Sequence, residues 1–158
     1  MQQYRTRYLL AKLTQFVDMA YKGLKTPGSL REYTSLEIEH ILPNNPQNDL
    51  RRSFEADNPY ARYDDYKHRL GNLTLLEKPI NIVAGNDCFT TKKAEYRKSK
   101  YYLTSSLAEI TTVGQNTSIN RINEKLRSFD NWSAASIKQR HEMLIKLALE
   151  VWTTSPMN

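Results

Sequence analysis

A chain of 158 residues, 39% apolar, has material for one domain with a modest core, or one compact domain with a helical extension. Its net charge of +6 favours polyanionic partners, because lysines and arginines that neutralise phosphates release condensed counterions. One cysteine, Cys88, excludes a disulfide framework and a cysteine-built zinc site; no signal sequence and no apolar run near the roughly 20 residues of a membrane span points to a cytoplasmic protein without membrane association.

In chain order, Leu9, Leu13, Phe16, Val17 and Ala20 recur at a helical period and predict a helix over residues 8–21, ended by a run containing Gly23, Pro27 and Gly28. Residues 36–42 form a short apolar, β-prone run that stops at Pro43, with Leu36, Ile38 and His40 on one face of a strand. Residues 44–59 are polar and rich in Asn, Asp and Pro, which predicts a long surface loop. The run 73–76 is the natural antiparallel mate of the first strand. Pro79 suits the first position of a helix, which places Asn81 in its first turn. A basic helix is expected over residues 89–101, a turn at 114–117, and helices over 118–129 and 133–152, the last capped by Ser133. Cys88 reads as a partly buried small hydrophobe.

The chemistry concentrates on Glu39 and His40. Imidazole, with an ordinary pKa near 6.5, takes a proton from water at neutral pH if a second group fixes its tautomer. Asn72, between Gly71 and the second strand, is placed for that role through its side-chain amide. A divalent ion such as Mg²⁺ or Mn²⁺ takes oxygen ligands, here the Glu39 carboxylate and the Asn81 carbonyl, and substrate oxygens and water fill the remaining positions. Strand, turn, strand and helix carrying His, Asn and Asn thus predict an α+β protein, mainly helical, around a ββα-metal core with a two-stranded antiparallel hairpin. Beyond it, Lys92, Lys93, Arg97, Lys98 and Lys100 alternate with Tyr96, Tyr101 and Tyr102, a composition suited to a nucleic-acid backbone.

The run Glu39-His40-Ile41-Leu42-Pro43, followed by Arg69-Leu70-Gly71-Asn72-Leu73-Thr74-Leu75-Leu76 and then by Asn81, Phe89 and Lys92, resembles the HNH (His-Me finger) nuclease domain of GmrSD-family modification-dependent restriction endonucleases. The resemblance covers roughly residues 36–96 and extends loosely to Trp132, Ile137, Arg140, Leu144 and Trp152. It implies His40 as general base, Asn72 as the residue that orients it, and Glu39 and Asn81 as ligands of Mg²⁺ or Mn²⁺. Related proteins often carry aspartate where Glu39 stands, which moves the carboxylate out by one methylene. Glu37, on the same strand face, is therefore an alternative ligand, as is Asn86 in another helix register. His68 and Arg69, with Lys92, Lys93 and Arg97, are expected to bind nucleic acid, and His141 to be non-catalytic.

These readings divide the chain into a connector helix (1–30), an HNH-type core (31–105) and a C-terminal helical extension packing on it (106–158). The expected activity is metal-dependent DNA cleavage or nicking in a restriction or phage-defence effector. The resemblance also implies a ParB-like NTPase or sensor domain preceding this one in a full-length protein. The competing expectations are a non-catalytic basic module that binds DNA or protein, and an RNA-cleaving toxin domain.

Overall fold

The computed structural model describes residues 2–112 and 117–153. It begins with α1 (Gln3–Tyr21), whose buried Leu10, Leu13, Thr14 and Val17 follow the three- and four-residue spacing of one helix face. The helix ends at Gly23, whose φ of +63° places it in the left-handed region. There the Leu24 N–H reaches Met19 O and the Gly23 N–H reaches Ala20 O, satisfying carbonyls that the last turn leaves open.

A short α2 (Leu30–Thr34) leads into β1 (Glu37–His40). β1 pairs antiparallel with β2 (Leu73–Leu76), in a register that sets Glu37 opposite Leu76 and His40 opposite Leu73. The first strand is thus shorter than the apolar run predicts. Beyond His40 the backbone leaves the ladder, because the Ile41 and Leu42 N–H groups are both taken by Asn72.

The polar stretch 44–59 is not one long loop. Residues Asn48–Asp57 form α3, followed by α4 (Tyr63–Tyr66). Leu50 and Phe54 lie one turn apart on α3, and Phe54 is buried edge-on against Tyr63 with ring centroids 5.5 Å apart. A single 3-10 turn, Leu70–Asn72, brings the chain into β2.

The elements that follow are α5 (Lys78–Ala84), α6 (Phe89–Tyr96), α7 (Tyr102–Ser105), α8 (Thr117–Asn123) and α9 (Ala134–Thr153). Pro79 lies in the first turn of α5, where its missing N–H costs nothing. The basic helix stops five residues short of the expected end and α8 ends before Glu124; of the turn expected over 114–117, residues 114–116 lie outside the described residues and Thr117 begins α8. Ser133 does cap α9, its Oγ accepting the Ser136 N–H at 3.1 Å.

The architecture is therefore mainly helical, with one two-stranded antiparallel hairpin among the described residues. The hairpin lies within the core. Leu73 and Leu75 pack with Leu10 of α1, Tyr33 and Tyr101, while Leu76 packs with Ile41, Phe89 and Tyr96. α1 and α9 meet through Leu13, Val17, Leu144 and Leu147. Each fully buried aliphatic side chain of this kind stabilises by about 1.5–3 kcal/mol. No described helix is long and apolar enough to cross a membrane.

Candidate functional site

His40 ends β1, half-buried, with its ring edge-to-face against His68 at a centroid distance of 5.5 Å. Burial, and then the positive charges of His68, Lys92 and Lys67, push its pKa down to about 4. The imidazole is therefore neutral at pH 7 and able to accept a proton. Among the described residues nothing hydrogen-bonds to it, and the only buried side-chain polar atoms without a partner belong to Arg140. Both ring nitrogens therefore reach solvent.

Asn72 does not touch the imidazole. Its fully buried amide spans the backbone two residues further on: Oδ1 accepts the Leu42 N–H at 2.7 Å, and Nδ2 donates to Leu42 O at 2.9 Å and to Lys67 O at 2.8 Å. The Trp132 indole N–H completes Oδ1 at 2.8 Å. With the Ile41 N–H on Asn72 O at 2.9 Å, the segment that follows His40 is fastened to the turn at residues 70–72.

The acidic residues of β1 alternate away from His40, toward α5 and α6. Glu39 is 5% exposed, and its Oε1 accepts Lys92 Nζ at 2.6 Å and Tyr96 OH at 2.7 Å. Lys92 Nζ also donates to His40 O at 2.9 Å. Lys92 is thus a core residue and not the surface cation expected from the sequence, because Glu39 and a backbone carbonyl compensate its charge in the interior. Phe89, Lys92 and Tyr96 fall three and four residues apart on α6; that spacing is the signal which places Lys92 on the apolar face.

Glu37 is half-buried, and its Oε2 accepts the Asn81 side-chain amide at 2.7 Å. Asn81 is the first-turn residue of α5 expected from the sequence, and it meets Glu37 and not Glu39. Asn86 is exposed beyond Gly85. The remaining cations are partly engaged. Lys93 lies 3.8 Å from Asp130, Arg97 3.6 Å from Glu109, and Arg69 stacks on Tyr66 at 3.8 Å. His68 is exposed beside His40.

Two residues of the C-terminal segment complete the turn. Trp132 reaches Asn72, and the fully buried Arg140 donates through Nη1 to Gly71 O at 2.9 Å and Leu73 O at 2.6 Å. Arg140 falls three residues from Ile137 and four from Leu144 on the buried stripe of α9, the pattern that marks an inward-facing guanidinium. Cys88 stands at the start of α6, where the Thr90 and Thr91 hydroxyls hold its thiol pKa below the usual value.

A neutral, solvent-reaching histidine at the end of a hairpin, with a carboxylate and an amide paired nearby, belongs to an α+β protein whose site can move a proton to or from water. The chain belongs to the family of C-terminal domains of GmrSD restriction endonucleases, whose family model matches residues 1–147. No curated protein and no solved structure matches it. Membership makes this a restriction-endonuclease domain, and the substrate of that family is DNA.

Proposed function

We propose that the domain is an HNH-type, metal-dependent DNA endonuclease in which His40 is the general base. The observation that carries this reading is the state of His40: neutral, open to solvent, and fixed through its backbone while its ring nitrogens stay free. Such an imidazole accepts a proton from water as the oxygen attacks phosphorus, and the bond to the leaving oxygen breaks. Lys67 and Lys92 lie close enough to depress the His40 pKa, although each is paired with a carboxylate, Lys67 with Asp64 and Lys92 with Glu39.

An ion of the Mg²⁺ type keeps several waters and takes one or two protein oxygens together with substrate phosphate. The oxygens that fit are on Glu37 and Asn81. Only one carboxylate oxygen of Glu37 is used, by the Asn81 amide nitrogen, and the Asn81 side-chain oxygen, Oδ1, has no hydrogen bond among the described residues. Glu39, whose Oε1 is held by the Lys92 ammonium and the Tyr96 phenol, supports β1 from inside. A divalent cation held there would neutralise charge on the phosphate and favour departure of the leaving oxygen. Asn72 acts on His40 through the Leu42 backbone.

Single-turnover cleavage of plasmid DNA with Mg²⁺, Mn²⁺ or EDTA tests the reading. His40→Ala is expected to slow cleavage by about 10²–10⁴-fold, the usual contribution of a positioned base. Equal rates for the two proteins would remove His40 from the chemistry, and cleavage undiminished by EDTA would remove the metal.

A further inference from the structure

Arg140 is an expensive residue in its position. It lies within the apolar stripe Ile137, Leu144, Leu147 and Val151 of α9, is wholly inaccessible, and leaves Nε and Nη2 without partners. Burial lowers its pKa to about 9, and the titratable group that interacts with it is the Tyr96 phenol, which burial keeps neutral. A buried cation with two unused donors is a poor stabiliser, and an apolar side chain of similar volume would serve packing equally well. What Arg140 does contact is specific. Its Nη1 bridges the carbonyls of Gly71 and Leu73, the residues on either side of Asn72.

Trp132 acts on the same point. Its indole N–H fills the second acceptor position of Asn72 Oδ1, while the ring packs against Phe89 and Phe129, each at 5.1 Å. The backbone of Asn72 is thus held from Arg140 and its side chain from Trp132. The amide in turn grips Leu42 at both N–H and O and is held to Lys67 O. Gly71 completes the arrangement, because a Cβ there would come within 2.0 Å of Ile137 O.

We infer that Trp132 and Arg140 are positioning residues for His40, acting through Asn72 and the Leu42 backbone. The inference rests on the nuclease reading for its catalytic part and on the hydrogen bonds alone for its mechanical part. Displacements of about 1 Å at a reacting group cost about 10²-fold in rate, so a loosened clamp has a kinetic signature distinct from loss of binding.

The test uses Trp132→Phe, which keeps the ring and removes the donor, and Arg140→Met, which keeps the stem and removes the bridge. Two quantities are read on each folded variant: amide hydrogen exchange at Leu42, and single-turnover cleavage alongside DNA affinity. The expected result is Leu42 exchange at least about tenfold faster, with distant α1 amides unchanged. The cleavage rate should fall by about 10–100-fold, with the DNA Kd within about twofold of wild type. Unchanged Leu42 exchange overturns the inference, as does an unchanged cleavage rate in an active wild-type background. If wild type itself fails to cleave, the nuclease reading falls, and the exchange data alone decide whether the clamp exists. If Arg140→Met does not fold, Trp132→Phe decides.

Discussion

Glu37 and Glu39 are the same residue type, two positions apart on one face of a four-residue strand, yet they occupy opposite electrostatic worlds. Glu39 lies under α6, closed by an ammonium and a phenol. Glu37 lies at the rim under α5, half-exposed, with a neutral amide as its neighbour. A carboxylate that has already found a buried cation has little to offer a metal ion. One that accepts only a neutral amide N–H at the rim keeps its charge available. Depth along the strand, and not residue identity, separates the structural carboxylate from the one proposed as a ligand.

The largest way to break that contrast is Lys92→Met. It leaves the Glu39 carboxylate buried with Tyr96 alone, and the expected cost is about 3–5 kcal/mol of stability, read by urea denaturation. Adding Glu39→Gln should recover part of the loss by removing the orphaned charge. A Lys92→Met protein as stable as wild type would show that the pair is not a structural unit.

At the rim the expected effect is on activity. Glu37→Gln retains an oxygen for the Asn81 amide and removes the charge, so folding should change by no more than about 0.5 kcal/mol. The Mg²⁺ concentration giving half-maximal cleavage should rise by about 100-fold, since loss of even an outer partner costs about 10–100-fold in metal affinity. The comparison inverts if Glu39→Gln shifts the metal dependence and Glu37→Gln does not.

The smallest effect is on pH. The native His40 pKa of about 4 lies below the ordinary value near 6.5. The contribution of neutral His40 to stability is therefore complete above about pH 6.5 and is lost as pH falls toward 4, where unfolding is favoured by proton uptake. Proton NMR of the His40 ring should show a midpoint well below 6.5. A midpoint at or above 6.5 would mean that burial does not govern this histidine.

The sequence makes the site's spine legible. Residues 73–76 form the second strand as expected, Pro79 opens α5, and Asn81 falls in its first turn, because proline and β-branched patterning are local signals. α3 escapes notice because ten mostly polar residues bury one aromatic, and Leu50 with Phe54 is a thin amphipathic signal. The Asn72 contacts escape for another reason. They join residues 30 and 60 positions apart, and no periodicity announces which backbone groups a buried amide will meet. Lys92 was hidden by composition: a lysine among lysines reads as surface until its helical spacing from Phe89 and Tyr96 is weighed.

Gly71 sets the order in which the molecule can be completed. The turn bearing Asn72 presses its bare backbone against Ile137 and His141, on a helix made more than sixty residues later. During synthesis, a chain that has already emerged through β1, β2 and α5 holds His40, Asn72, Glu37 and Asn81 but still lacks the braces from Trp132 and Arg140. The histidine would reach its working posture only as α9 docks, long after its own segment has been made.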